Sequence, residues 1–172
     1  VGIWLYYSTG SNISDNIITK CDSGIYSVFS NGNVIENNRV SDNYAGIILS
    51  SFCKENRVSN NEVIGNTYGY GIALSHNNHQ NEVGNNKIVQ NTYGISISFN
   101  DTSIFGNQII NNTVGIYEDL YVGPAQGYRI FHNNFINNTI QAQVTPNYNN
   151  TWDSGYPSGG NYRSDYTDVD DN

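Results

Sequence analysis

The residues with the best chemistry lie close together in GIYEDLYVGPAQGYRI, positions 115–130. Tyr117, Tyr121 and Tyr128 accompany the adjacent carboxylates Glu118 and Asp119. Tyrosine rings stack on pyranose faces and carboxylates accept hydrogen bonds from sugar hydroxyls, so these five residues are the candidates for glycan contact. Two carboxylates can also serve as general acid and base, provided that they flank one glycosidic bond at roughly 5–10 Å. That makes Glu118 and Asp119 the candidates for polysaccharide cleavage. Two metal readings come from elsewhere. His76 and His79 form H-x-x-H in the loop SHNNHQ, with no Met in the chain and no third ligand adjoining; His132 stands apart, expected to face outward. Two imidazoles alone hold a transition metal weakly. Asp168, Asp170 and Asn172 read D-x-D-x-N, the first three oxygen ligands of an EF-type calcium loop, and three ligands are too few for tight binding. No nucleophile–base pair, phosphate loop or cofactor motif occurs.

Composition narrows the partners. In 172 residues the net charge is -8 with 7 Lys and Arg, a balance that repels phosphate backbones and argues against nucleic acid. No run of about 18 apolar residues occurs that could span a membrane. The chain opens VGIWLYY without an initiator Met or a signal peptide and reads as a mature or excised piece. Five N-x-S/T sequons, at Asn12, Asn100, Asn111, Asn137 and Asn149, are potential glycosylation sites and fit a secreted or cell-surface protein.

What must position these residues is a repeat. A Gly-Ile pair recurs at 2, 24, 46, 71, 94 and 115, and beside it runs apolar-x-x-Asn-x-apolar-x-x-Asn. The first Asn of the pattern is Asn16, Asn38, Asn61, Asn86, Asn107 and Asn133; the second is Asn43, Asn66, Asn91, Asn112 and Asn138, with Cys21 in that place in the first copy. Between these marks apolar residues alternate over short runs, the period of strands and not of helices. Three short strands per copy of 21–26 residues predict an all-β, single-stranded parallel β-helix of about six coils, right-handed by the crossover preference, over residues 1–144. Coils about 4.8 Å apart would make a rod near 30 Å tall. Aligned asparagines predict ladders of stacked amides at the bends, where Asn also tolerates left-handed backbone.

The repeat gives each acid an address. The column after the first ladder Asn reads Ile17, Arg39, Glu62, Lys87, Gln108, Asn134, a mixed charge ladder with no stacked acids. Glu118 falls where Leu49, Leu74 and Ile97 point inward, so either the loop turns it out or it is a buried acid with a shifted pKa. Cys21 and Cys53 fall on different sides of the cross-section, which disfavours a disulfide. The first coil offers unpaired strand edges, an invitation to self-association or to a neighbouring domain. Residues 145–172 break the repeat, and Trp152, Tyr156, Tyr162 and Tyr166 suit a cap over core left open after Val144, with an acidic end.

That segment carries a resemblance. Trp152, Asp153, Gly155, Tyr156, Pro157, Gly159, Gly160, Asn161, Tyr162, Ser164, Asp165 and Tyr166, behind Asn and Gly-Ile coils, resemble the NosD-like, or CASH-type, right-handed β-helix repeats of secreted archaeal-type surface proteins. Arg163 departs from it, standing where the family usually has Trp. The resemblance implies a surface or carbohydrate-binding protein with a closing segment that often leads into calcium-type sequence. Its name-giver is tied to copper delivery, yet copper needs Met, Cys or His ligands and no convergent set is visible. Three readings follow: a non-enzymatic extracellular module, structural and glycan-binding; a polysaccharide hydrolase or lyase using Glu118 and Asp119; and a copper- or calcium-handling protein.

Overall fold

The computed structural model describes residues 1–121, 123–145, 149–155 and 157–165, with Phe99 and Asn100 described by backbone alone. The described residues form strands and no helix, wound into a parallel β-solenoid of about six turns. Three parallel sheets make its sides. The first has seven strands, Ile3–Tyr6, Ser23–Val28, Ala45–Ser50, Tyr70–Ser75, Tyr93–Ile97, Val114–Glu118 and Ile140–Gln143, stacked in chain order. The second has six, from Asn12–Ser14 to Arg129–Phe131; the third has seven, from Ile17–Thr19 to Tyr162–Arg163.

Register turns each sequence column into a line of core. Ile25, Ile47, Ile72, Ile95 and Ile116 are paired one above another in the first sheet, and Ile35, Val58, Val83, Ile104 and Ile130 in the second. In the third sheet the line is Val40, Val63, Ile88, Ile109 and Phe135. These side chains are almost wholly buried, and each contributes about 1.5–3 kcal/mol of hydrophobic stabilisation. The Gly of each Gly-Ile pair is there for want of room. A methyl on Gly71 would stand 2.6 Å from the Gly94 carbonyl oxygen and 2.9 Å from Ile88 Cγ2, closer than carbon normally approaches either.

The asparagine ladders run along the axis. In the first, the backbone N and Nδ2 of each Asn both donate to Oδ1 of the next, at 2.8–3.0 Å from Asn16 through Asn133. The second runs from Asn43 to Asn138, with Cys21 N donating to Asn43 Oδ1 at 3.0 Å above it. Gln141 ends it, its Oε1 accepting from Asn138 Nδ2 at 2.9 Å. A third ladder, Asn33, Asn56 and Asn81, was not anticipated, although Asn-x-Ile/Val at each of the three is the same signal.

The left-handed residue at each bend is not the ladder Asn, as expected from the sequence, but the residue before it. Asp15, Asn37, Asn60, Asn85, Gly106 and His132 precede the first ladder, and Lys20, Asp42, Gly65, Gln90, Asn111 and Asn137 the second; all have φ between 53° and 67°. The left-handed residue turns the corner, and the next residue then points its amide inward.

The segment beyond Val144 does not simply leave the solenoid. Thr151 bridges to Arg129, and Tyr162–Arg163 pairs with Asn134–Phe135 as a seventh rung of the third sheet. Asn161 extends the first ladder, accepting from Asn133 N and Nδ2 at 3.0 and 2.9 Å. Trp152 packs on the core, whereas Tyr162 is exposed; Tyr156 and Tyr166 lie outside the described residues.

Candidate functional site

The stretch opens with Val114–Glu118, the sixth strand of the first sheet, whose outer side carries the aromatic residues. There Tyr70, Tyr93 and Tyr117 form an aromatic column, with ring centroids 5.5 and 4.3 Å apart and planes 30° apart in each pair. All three are half-buried, held against one another and against the sheet. Asp119 organises the lower end. Its Oδ2 accepts from the Tyr70 hydroxyl at 3.4 Å, and its Oδ1 accepts from the Tyr121 backbone N–H at 3.1 Å. The Tyr121 ring is 99% exposed and leaves both faces to solvent. Burial and then the Asp119 charge hold the Tyr70 and Tyr117 phenols above the usual tyrosine range. The column was not expected from the sequence in full, because Tyr70 and Tyr93 belong to earlier coils; their places beside the Gly-Ile pairs at 71 and 94 were the available signal.

Two of the five candidate glycan contacts stand elsewhere. Glu118 lies in the inward column, paired in register with Ile97, and is 3% exposed. Its Oε1 accepts from Ala125 N at 2.8 Å and its Oε2 from Thr145 N, so both oxygens serve the backbone of the segments around it. Of the two outcomes open for Glu118, it is therefore the buried one. Asp119, just past the end of the strand, instead reaches the Tyr70 hydroxyl and the Tyr121 backbone N–H, so the two neighbouring carboxylates have different partners. Tyr128 is fully buried, its hydroxyl donating to the Ser98 carbonyl at 3.3 Å, and cannot meet a surface ligand. Burial pushes its phenol far above the usual range. The insertion itself is pinned by a two-stranded sheet, Phe99–Asn100 with Ala125–Gln126.

The remaining charged and ligating residues are dispersed. Glu62 bridges Arg39 and Lys87, the latter at 3.0 Å, as the column alignment implied, and these partners hold its carboxyl below the ordinary range, with the Lys87 hydrogen bond the leading cause. Cys21 and Cys53 are free thiols; Cys53 is buried, with the Ser27 and Ser50 carbonyl oxygens 3.4 and 3.2 Å from its Sγ. His76 is exposed and His79 half-buried. His132 is exposed, as expected, and its Nε2 lies 2.6 Å from the Ser158 carbonyl oxygen, tying the last segment to the sixth coil. The sequon asparagines Asn12, Asn111, Asn137 and Asn149 are exposed and none is a ladder rung; the Asn100 side chain and the calcium candidates Asp168, Asp170 and Asn172 lie outside the described residues.

Copper chemistry needs converging thiolate, thioether or imidazole ligands. Here one thiol is enclosed by serines and the other caps a ladder, the chain contains no Met, and among the described residues no three His, Cys, Asp or Glu side chains converge. The donor set does not fit copper. No helix of the described chain is long and apolar enough to cross a membrane. No curated protein matches the chain. A family model described as periplasmic copper-binding protein (NosD) matches residues 1–168. The match takes in every described residue, and the chain belongs to the NosD family.

Proposed function

We propose that this chain is a non-enzymatic, extracellular or cell-surface β-solenoid module that binds a glycan on the outside of its first sheet. The observation that supports this most is the Tyr70–Tyr93–Tyr117 column with Asp119 and the free Tyr121 ring at one end. Rings immobilised by stacking lose little entropy on binding, and Tyr presents an apolar body with a polar tip. Asp119 keeps lone pairs for sugar hydroxyls beyond the two bonds that it already accepts. The module reading is also supported by the periplasmic character of the family and by a Glu118 whose two oxygens are both occupied by backbone N–H groups.

The test joins a glycan array to a reducing-end assay on neutral and acidic polysaccharides. Binding should weaken about tenfold or more in Tyr121→Ala and Asp119→Asn, the loss of one stacked ring or one charge-assisted hydrogen bond. Release of reducing ends by the purified chain would overturn the non-enzymatic part. Binding that ignores both substitutions would overturn the site.

A further inference from the structure

Among the described residues no covalent cross-link joins one coil to the next: Cys21 and Cys53 are free thiols, and Cys53 is buried. The chain has 14 tyrosines, and one pair of them faces across two coils in a way that neither the core nor the tyrosine face uses. Tyr44 stands just ahead of Ala45–Ser50 and Tyr68 just ahead of Tyr70–Ser75, the third and fourth strands of the first sheet. Their rings are stacked, with centroids 5.9 Å apart and planes 9° apart.

The backbone that carries this pair is fixed, and the rings are not. Asn43-Tyr44-Ala45-Gly46 in one coil becomes Asn66-Thr67-Tyr68-Gly69-Tyr70-Gly71 in the next, which is longer and places Tyr68 beside Tyr44. The close approach depends on Gly69, where a methyl would stand 2.9 Å from the Tyr44 carbonyl oxygen. The same turn is tied to the following coil: the Thr67 carbonyl accepts from Thr92 Oγ1 at 2.5 Å and the Gly69 carbonyl from Tyr93 N at 3.3 Å. The side chains, by contrast, are 58% exposed at Tyr44 and 78% at Tyr68. They border a cleft of about 410 Å³, with room for a small oxidant to arrive and for the rings to turn edge to edge. Tyr93 and Tyr117 are closer, at 4.3 Å, but half-buried against the sheet.

We propose that Tyr44 and Tyr68 are a site of oxidative modification, joined by one carbon–carbon bond as a dityrosine that staples their two coils. Each phenol gives one electron to a peroxide-charged peroxidase and its proton to solvent. The two ring carbons ortho to oxygen then bond, and each ring regains aromaticity as its ortho hydrogen moves to the phenol oxygen. The pair loses two hydrogens in all, and one hydrogen peroxide becomes two waters. The bond closes a loop between residues 44 and 68, which restricts the unfolded chain and opposes local separation of the coils. This site goes beyond the glycan reading and shares no residue with it.

The test treats the dilute chain with a peroxidase and hydrogen peroxide, then isolates the monomer. Trypsin separates the two residues, because Lys54 and Arg57 lie between them. Dityrosine fluorescence, a monomer lighter by two hydrogens and a joined pair of peptides, 40–54 with 58–87, are expected. All three should vanish in Tyr44→Phe and in Tyr68→Phe and persist in Tyr70→Phe, which shares a peptide with Tyr68. The urea midpoint of the treated chain should rise above that of the untreated one, with no rise in treated Tyr68→Phe. A link that maps to Tyr93 and Tyr117, or that forms only between chains, overturns the site. A link at Tyr44 and Tyr68 that leaves the midpoint unchanged overturns the staple.

Discussion

Replacing Asn86 by alanine should destabilise the solenoid by on the order of 4 kcal/mol, a large share of the ~5–15 kcal/mol that holds a typical domain together. Asn86 is buried in the middle of the first ladder. Its Oδ1 accepts from Asn61 N and Nδ2 at 2.9 and 3.0 Å; its Nδ2 donates to Asn107 Oδ1 at 3.0 Å and to the Val58 carbonyl at 2.9 Å. Four hydrogen bonds at about 1 kcal/mol each set the scale, and the Asn61 N–H is left buried without a partner, so the estimate is not generous. Asn16, the first rung, is the internal comparison. Its Nδ2 donates to the Ser14 carbonyl and to Asn38 Oδ1, both at 2.9 Å, yet Asn38 Oδ1 keeps the Asn16 backbone N–H at 3.0 Å after truncation. Half-buried and with less to orphan, Asn16→Ala should cost about 1 kcal/mol. Urea unfolding at constant m-value reads both as midpoint shifts. Asn86→Asp should be worse than alanine at neutral pH, because an oxygen then faces Asn107 Oδ1 and the Val58 carbonyl. Should Asn86→Ala cost no more than Asn16→Ala, the ladders would be ornamental and the reasoning refuted.

Other outcomes can be checked by the same unfolding measurement. Gly71→Ala should cost about 1–3 kcal/mol by overpacking, since its methyl meets the Gly94 carbonyl and Ile88; a neutral result would mean that the coils can separate locally. Glu118→Gln should cost about 1–3 kcal/mol, because one backbone N–H then faces an amide donor, while leaving glycan binding untouched. Because Tyr70 and Tyr117 have folded pKa values above the ordinary value of about 10, their contribution is full below that value and should fade as pH rises through the raised ones. Glu62 has the opposite sign: its lowered pKa gives a contribution present above about 4.3 that fades as pH falls through the depressed value.

Much of the architecture was legible because a solenoid is nearly one-dimensional. When each coil contacts only its neighbours, a position in the repeat is already a position in space. That is why Glu62 could be placed between Arg39 and Lys87, and Glu118 in the line of Leu49, Leu74 and Ile97, from spacing alone. The same logic ran out where the repeat is interrupted. Tyr128 sits in an insertion and follows a left-handed Gly127, so no column predicted that it would fill the core.

The segment after Val144 shows the same division. Its family likeness was plain from Trp152 to Tyr166, but Asn161 as a further ladder rung, and Arg163 in register after Phe135, follow only from its pairing with the sixth coil. By itself the sequence determined the strands, the three-sided coil, two ladders and the family, because each is written in local spacing that recurs. Tertiary structure alone decided which side chains converge: Tyr70 with Asp119 across 49 residues, Glu118 with Thr145 across 27, and Trp152 with Arg163 along one cleft. Periodicity encodes contacts between equivalent positions; contacts between non-equivalent ones depend on how insertions and the last segment fold back, and only the folded chain contains that information.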